Sequence, residues 1–388
     1  MPPSRSASPP PALKRKVQVW CYRLVVGGGP EYLLLRRPRA RGSGWQPVTG
    51  GFKASETAAT AAARELAEET GIGEHRRPGR AGGQRRMLGR VYPVGVSYSF
   101  SFRDKRIEEI AYARCVPEDS PIELSKEHVH AHWFTYEQAI ARIDWDGQHS
   151  ALDMLDRSLT RLHAGLDPSP AAPSGPAAAL LDRDGRLVAW GTLNHDLAAP
   201  GWLPSTVATV GVDAPLTLPF GKGRCCLERH PRCACNEELA PWGRTADREL
   251  LELGVMRSAD RHGTRVRREW ILRSLELADL LRHKRVRLVE VCGLAARRAL
   301  LEDPAGRAAF RGRLELQRAL EKLVPGMPSP AEDLLGAAEL DAVLCAQTAL
   351  LHERGQSRLL GDPAEGAIVI PAEEPAHESR PSTPGKNP

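Results

Sequence analysis

Apolar and polar residues alternate with two different periods along this chain, and each period predicts its own kind of element. The segment 17–26 alternates with the period of two that is typical of strands, and further strands are predicted at 31–36, 86–103, 107–116 and 207–212. Helical periodicity occurs in the segments 57–70, 135–142, 147–163, 265–283 and 334–353. Short apolar runs at 286–291 and 367–370 are predicted to be further strands. Strands that alternate with helices in this way indicate an α/β protein.

The 388 residues are too many for one core of ordinary size, so we expect two folded domains. We place a first α/β domain at 16–160 and a second at 164–373. The ends of the chain, 1–15 and 374–388, are rich in Pro, Ser and charge and lack apolar periodicity, which predicts disordered tails. Residues 164–176 have the composition of a linker, but we predict that they are partly strand and partly loop.

Charge and cysteine content limit the class of protein. The net charge of +6 suits anionic substrates, but Lys and Arg are dispersed, which is weak evidence for nucleic-acid binding. No run approaches the roughly 18 apolar residues of a membrane span, and nothing at the N-terminus has the uninterrupted apolar stretch of a signal peptide. Eight cysteines are too few for a disulfide scaffold of this length. We therefore expect a cytoplasmic enzyme that does not associate with membranes.

One segment of the first domain combines glycine, glutamate and arginine at fixed spacing. Gly50 is followed by Glu56 and then by the run Arg64-Glu65-Leu66-Ala67-Glu68-Glu69-Thr70-Gly71-Ile72. Residues 57–67 are mostly alanine, which favours a helix, and Gly71 is suited to end it. Arg64 precedes Glu68 by four residues and can hold a carboxylate by a bidentate contact.

The three glutamates of this helix share one of its sides. Glu65, Glu68 and Glu69 are spaced i, i+3 and i+4, and the repulsion between Glu65 and Glu69 costs about 0.2–0.5 kcal/mol in an isolated helix. A hard divalent cation reverses that penalty, because magnesium takes oxygen ligands. The alternative is an acidic helix face in contact with solvent.

These positions fill every constrained place of the Nudix box, so the segment resembles the Nudix superfamily. The resemblance implies a Nudix α/β/α sandwich and a hydrolase that cleaves a diphosphate linkage with Mg²⁺, or with Mn²⁺ in its place. It implies that Glu65, Glu68 and Glu69 are metal ligands, with Arg64 and Glu56 supporting them. Glu68 and Arg64 are accordingly the candidate catalytic residues within the box.

A carboxylate from outside the box often serves Nudix enzymes as a further ligand or as the base. Our candidate is Glu109, in the predicted strand 107–116, and its rivals are Glu108, Glu123 and Glu127. Glu109 can equally be an ordinary surface residue of that strand.

The substrate is indicated less specifically. Residues 45–50 and 132–152 resemble the Nudix branch that hydrolyses dihydroneopterin triphosphate and deoxynucleoside triphosphates. Trp45 can stack on a base or pterin ring, although it can also be a core residue. Arg36 and its neighbour Arg37 can pair with phosphate, and Gly50-Gly51 lets the backbone approach a metal ion or phosphates closely. These features predict a nucleoside or pterin di- or triphosphate as the substrate.

Short segments spread over 164–371 resemble a family of predicted nucleases with a ribonuclease-H-like α/β fold. The candidate metal ligands within these segments are Asp167, Asp213, Glu290 and Asp341. The resemblance implies that three strands and one late helix bring these acids together to hold two Mg²⁺ ions for phosphodiester cleavage. Glu290 interrupts an otherwise apolar strand, where an unpaired charge is costly. The alternatives are that Asp213 caps a turn and that Asp341 caps a helix.

Two functions therefore remain open for the second domain. It is either a metal-dependent nuclease that acts on nucleic acid or a non-catalytic module that binds a ligand for the Nudix half.

A cluster of cysteines follows Pro219 in this second domain. Zinc sites use Cys and His, and the cluster comprises Cys225, Cys226, His230, Cys233 and Cys235. However, the usual C-x2-C pair is absent. The CC and C-x-C pairs each place two ligands too close together for a regular tetrahedral site. The spacing therefore favours free thiols or one local disulfide over Zn²⁺. The remaining cysteines, in apolar segments, are predicted to be buried thiols: Cys21, Cys115, Cys292 and Cys345.

Overall fold

The computed structural model describes residues 12–42, 44–73, 89–102, 105–168, 175–193, 203–228, 232–235, 243–255, 265–284, 286–301, 306 and 309–372. Two seven-stranded sheets, one in each half of the chain, carry helices on their faces. The predicted tail 374–388 and most of the tail 1–15 lie outside these residues. Within them, no helix is both long and apolar enough to cross a membrane.

The first sheet is built around two long parallel strands. Its strands are β1 (Ala12–Leu24), β2 (Pro30–Arg36), β3 (Trp45–Gln46), β4 (Val48–Gly51), β5 (Tyr92–Phe102), β6 (Lys105–Cys115) and β7 (His130–Phe134). The order is β3-β2-β1-β6-β5, with β4 on β1, β7 on β2, and β1 parallel to β6. The accompanying helices are α1 (Ala58–Thr70), α2 (Tyr136–Ile140) and α3 (Asp146–Leu159).

The first strand begins earlier than the sequence pattern predicts. Residues 12–15, which we assigned to a tail, are the start of β1 and pair with β6 from Lys105 onward. This stretch has no apolar alternation from which a strand could be predicted. Its extended conformation depends on the backbone hydrogen bonds to β6.

The second sheet has a mixed arrangement. Its strands are β8 (Leu162–Asp167), β9 (Ala177–Leu181), β10 (Leu187–Thr192), β11 (Val207–Val212), β12 (Arg287–Val291), β13 (Ser357–Leu360) and β14 (Ile368–Pro371). The order is β10-β9-β8-β11-β12-β14-β13. β8, β11, β12 and β14 are parallel, whereas β9, β10 and β13 are each antiparallel to a neighbour. Its helices are α4 (Arg224–Glu228), α5 (Thr245–Glu252), α6 (Arg265–His283), α7 (Gly293–Leu300), α8 (Phe310–Leu323) and α9 (Ala337–Glu353).

The two halves meet without a linker. The helix predicted at 147–163 ends at Leu159, and β8 begins at Leu162. Every residue of β8 is buried, and the strand pairs with β11, so this stretch is a strand although its sequence continues the helical pattern. One continuous apolar core includes Trp20 of the first sheet and Leu166 of the second.

The long helix α9 lies directly on the second sheet. A Cβ atom on Gly165 would come within 1.9 Å of the Ala342 carbonyl oxygen, and one on Gly211 within 2.3 Å of the Cys345 carbonyl oxygen. The two glycines therefore allow α9 to approach β8 and β11 closely, which brings Asp341 towards the carboxyl ends of these strands.

Candidate functional site

The helix α1 is held in place at both of its ends. The Thr57 hydroxyl accepts a hydrogen bond from the Thr60 backbone N–H, and Gly71 takes a left-handed conformation (φ 72°) at the C-terminus. The box glutamates are therefore presented by a capped helix that begins and ends close to the predicted bounds 57–70.

Arg64 binds the acidic side chains of the box together. It donates to Glu56 Oε1 at 2.6 Å, to Glu65 Oε1 at 2.8 Å, to Glu68 Oε2 at 3.0 Å and to the Gly51 carbonyl oxygen at 2.8 Å. The hydrogen bonds from Arg64 lower the pKa of Glu56 to about 2. Arg64 therefore orients the carboxylates and fixes the glycine loop to the helix.

Gly50 has no room for a side chain. A Cβ atom there would lie 1.8 Å from Cδ of Glu65, whereas a Cβ atom on Gly51 would have no neighbour within 4 Å. Thus the carboxylate of Glu65 occupies the space that the absent side chain leaves, directly against the β4 backbone.

Among the acids of the box, Glu69 has the most strongly shifted pKa. It is 6% exposed, and its Oε2 atom has no hydrogen-bond partner. The pKa of Glu69 is raised to about 8, mainly by burial and also by the nearby charges of Glu65 and Glu127, while a hydrogen bond from the Thr49 backbone opposes the shift. His128 Nδ1 lies 4.0 Å from Glu69 Oε2. A buried carboxyl group with an unused oxygen beside a second carboxylate fits a divalent cation, for which an all-oxygen donor set is suited.

The four candidate carboxylates outside the box lie in different environments. Glu109 is 4% exposed, accepts a hydrogen bond from the Tyr98 hydroxyl, and has a raised pKa because it is buried. Glu108 is paired with Arg15 at 3.3 Å, and the side chain of Glu123 lies against Gly71. Glu127 is exposed and close enough to Glu69 to raise its pKa. Glu127 is therefore an accessible carboxylate that acts electrostatically on Glu69, whereas our first candidate, Glu109, is enclosed.

Lys16 separates Glu109 from the box. In β1 it is opposite Gly51 on one side and Glu109 on the other. Burial lowers the pKa of Lys16, while the charges of Glu109 and Glu65 raise it.

A cleft of about 350 Å³ opens beside β3. Its lining residues are Arg37, Gly42, Gly44, Trp45, Gln46, Asp144 and Trp145. Trp45 is partly buried and packs against the core, where it contacts Phe134 edge-on with ring centroids 5.1 Å apart, whereas Trp145 is 51% exposed. The Arg36 guanidinium lies over the Trp45 ring at 5.8 Å, whereas Arg37 lines the cleft itself.

The cleft and the box are connected through side chains. Gln46 Nε2 is 3.5 Å from His128 Nε2, and His128 in turn is next to Glu69. Arg37 is close enough to Glu69 to lower its pKa. Gln46, His128 and Arg37 therefore link the lining of the cleft to the surroundings of the buried Glu69.

Three of the four predicted acids of the second domain lie around the Cys345 thiol. Asp167 ends β8, Asp213 follows β11, and Asp341 lies in α9. Burial and the combined negative charge of these three side chains raise the pKa of the Cys345 thiol far above its usual range. Asp167 is fully buried, Asp341 is 2% exposed, and Asp213 Oδ1 accepts a hydrogen bond from the Gly293 N–H at 2.9 Å.

Glu290, the fourth acid, forms a buried ion pair with Arg244 that the sequence does not predict. Arg244 donates to both of its carboxylate oxygens, at 2.5 and 2.6 Å, and the Leu216 N–H donates to Oε2 at 2.8 Å. Both side chains are buried. The charge in an apolar strand, which we read as a sign of a metal site, is thus compensated by a buried guanidinium.

The four clustered cysteines also come together, with all of their sulfur atoms within 4.8 Å of one another. His230 lies outside the described residues. Cys21, Cys115 and Cys345 are buried as predicted, and Cys292 is partly buried.

Two residues around the first site were not singled out by the sequence pattern, namely Lys16 and His128. Their places are defined by contacts between distant segments. Gln46 and Trp145 lie within the segments that resemble the dihydroneopterin triphosphate branch, and Arg244 lies within one of the segments that resemble the predicted nucleases.

Comparisons with known proteins identify the class of the first domain. Residues 14–155 match the family model described as NUDIX domain. The chain thus contains a Nudix domain, and this match supports a pyrophosphohydrolase enzyme.

Three individual proteins are each similar to 37% of this chain. An Ap4A hydrolase of C. elegans is 21% identical and is covered to 94% of its length by 37% of this chain, with a TM-score of 0.30. The dihydroneopterin triphosphate pyrophosphohydrolase of E. coli is 22% identical and covered to 97% by 37% of this chain, with a TM-score of 0.28. A curated octanoyltransferase of Myxococcus xanthus is 34% identical over 151 residues, which are 37% of this chain and 36% of that protein. The chain thus matches about a third of the length of that relative.

Proposed function

We propose that the first domain hydrolyses the diphosphate linkage of a nucleoside or pterin di- or triphosphate, with Mg²⁺ or Mn²⁺ held by Glu65, Glu68 and Glu69. The observation that carries the proposal is the buried Glu69 carboxyl group, whose Oε2 atom lacks a hydrogen-bond partner and whose pKa is raised to about 8. Such a group is costly to keep in a fold unless a cation compensates it. When bound, the metal ion supplies charge stabilisation to the phosphoryl oxygens.

Several residues of the first domain position the carboxylates that would bind the metal ion. Arg64 orients Glu65 and Glu68, and Gly50 leaves space for Glu65 against the loop. Lys53 pairs with Glu68 at 2.8 Å and can release it to the metal ion. These contacts hold the carboxylates in place before substrate binds, which is the main contribution a protein makes to such a reaction.

For the base, Glu127 has stronger support than Glu109. Glu127 is exposed to water and acts electrostatically on Glu69, whereas Glu109 is enclosed and hydrogen-bonded by Tyr98. A base must reach the attacking water, and only an accessible carboxylate can do so. We expect Glu127→Gln to lower kcat, while Glu109→Gln leaves kcat close to that of the wild type. The reverse result would assign the role to Glu109.

The cleft supports an aromatic, anionic substrate. Trp45 and Trp145 offer ring faces for a base or pterin, and Arg37 offers a positive charge between the cleft and the box. Its volume of about 350 Å³ lies within the range of small-molecule sites.

A phosphate-release screen of the full chain tests this proposal. The panel contains nucleoside triphosphates, deoxynucleoside triphosphates, nucleotide sugars, dinucleoside polyphosphates and dihydroneopterin triphosphate, each with Mg²⁺ and with EDTA. We expect turnover that requires the metal ion and is lost in Glu69→Gln. Turnover that persists in EDTA, or in that variant, would refute the assignment.

For the second domain, taken as 164–373, we propose a ribonuclease-H-like nuclease that uses Mg²⁺ held by Asp167, Asp213 and Asp341. The order β10-β9-β8-β11-β12, with β8, β11 and β12 parallel, supports this fold. The convergence of three acids at the carboxyl ends of parallel strands supports a ligand site there. Glu290 is better explained as the buried partner of Arg244 than as a fourth ligand.

The nuclease is tested in the full chain carrying Glu69→Gln, so that Nudix turnover does not interfere. We expect Mg²⁺- or Mn²⁺-dependent cleavage of DNA or RNA that disappears in Asp213→Asn and persists in Asp182→Asn. Asp182 is a matched control, because it is a buried acid that serves the turn between β9 and β10. If no nucleic acid is cleaved, the domain is a binding module instead.

A further inference from the structure

The cysteine cluster beyond Pro219 belongs to neither of the sites discussed above. Cys225 and Cys226 lie in the short helix α4, and Cys233 and Cys235 lie in the segment 232–235. The sulfur–sulfur distances are 3.6 Å between Cys225 and Cys235, 3.5 Å between Cys226 and Cys233, and 3.5 Å between Cys225 and Cys233.

We propose that Cys225, Cys226, Cys233 and Cys235 form a structural Zn²⁺ site. Zinc binds four cysteine sulfurs as a tetrahedron with Zn–S distances of roughly 2.3 Å, which places the sulfurs about 3.8 Å apart. The three distances are close to that value, and all four sulfurs are mutually within 4.8 Å. Disulfides require sulfurs roughly 2.05 Å apart, and all four thiols are free.

The spacing of CC and C-x-C disfavours zinc when each pair is taken as a separate site, but the structure places the two pairs against each other. The close contacts run between the two segments, so each pair contributes to a shared tetrahedron instead of forming its own. Cys233 and Cys235 are half-buried while Ala234 between them is exposed, so both thiols face the same side. Consecutive residues of α4 supply the other two ligands.

The position of the cluster indicates what the metal ion would stabilise. Leu227 is the one buried residue of α4, and it packs against Ile271 and Leu275 of α6. Arg224 is paired with Asp279 of α6 at 2.5 Å, but both side chains are largely exposed. So small an apolar contact contributes little to ordering α4 and its loop. Small segments of this kind are commonly stabilised by a bound metal ion. Four thiolate ligands leave no open position, so the site would fix α4 and its loop to α6 without a catalytic role.

Metal analysis of the full chain tests the proposal. The protein is purified under reducing conditions and washed with EDTA to remove cations held by carboxylates. We expect about one zinc ion per chain, released by a thiol-modifying mercurial reagent. Cys226→Ser and Cys233→Ser should each lower the zinc content at least tenfold, whereas Cys292→Ser, outside the cluster, should retain it. Equal zinc content in all three variants would overturn the site.

A second measurement does not depend on the variants folding. The wild-type chain is stripped and reloaded with Co²⁺, and thiolate ligation should produce sulfur-to-cobalt charge-transfer absorption with the intense visible bands of a tetrahedral ion. Absence of these bands, a stoichiometric iron content instead of zinc, or disulfides in the reduced preparation would each overturn the proposal. Removal of zinc should also speed amide exchange in α6, and unchanged exchange there would contradict the structural role.

Discussion

Replacing Glu69 by glutamine should make the metal-free protein more stable. Folding raises the pKa of this carboxyl group from 4.5 to about 8, so at pH 7 the folded state retains a proton that the unfolded state has released. Each pH unit above the unfolded pKa costs the folded state about 1.4 kcal/mol, which amounts to about 3 kcal/mol at pH 7. Glutamine has the same shape, can accept the Thr49 backbone hydrogen bond, and has no proton to lose.

The sign of the effect follows from the direction of the shift. Below pH 4.5 both states of the wild type are protonated and the two proteins should have equal stability. The stability of the wild type then falls relative to that of Glu69→Gln as the pH rises towards 8. The assay is urea unfolding of both proteins in EDTA at a series of pH values. Mg²⁺ should stabilise the wild type at pH 7 and leave Glu69→Gln unchanged.

Glu68→Gln is the matched control. Glu68 is half exposed, and its pKa is lowered by Lys53 and Arg64, so its replacement should give no gain in stability at any pH. A Glu69→Gln protein that is less stable than the wild type at pH 7 in EDTA would refute the reasoning. So would a stability difference that does not change between pH 4.5 and 7.

Three further predictions concern other parts of the molecule. Gly50→Ala should displace Glu65 and lower turnover by about 10–100-fold while the fold persists, whereas Gly51→Ala, which has free space, should remain active in the same assay. Arg244→Met should lower the free energy of unfolding by about 3–5 kcal/mol, because it leaves Glu290 buried without its partner, whereas the exposed Arg248→Met should change it by less than about 0.5 kcal/mol in urea titrations. Asp182→Asn should stabilise the chain by up to about 3 kcal/mol at pH 7 and not at pH 3.8, because burial raises the pKa of Asp182 to about 6; an equal effect at both pH values would contradict this.

The sequence by itself determined the local features of the first site. Alanine content, Thr57 and Gly71 define α1, and the i, i+3, i+4 spacing places its glutamates on one side, because helix geometry depends only on neighbours along the chain. Periodicity likewise located most strands, including β11 and β12. Where a segment's conformation depended on a distant partner, as in residues 12–15 and at the start of β8 (162–163), the pattern predicted the wrong conformation, although a strand was expected within 164–176.

Only the tertiary structure decided how charges and thiols are compensated. The pKa of Glu69 and the pairing of Glu290 with Arg244 depend on segments far apart in sequence, and the four cysteines come together through the fold of the short stretch 225–235. Burial and distance set the electrostatic free energy of these groups, and neither is written in a local pattern. The sequence therefore identifies the residues of the box, whereas their burial, their partners and their pKa values are set by the fold.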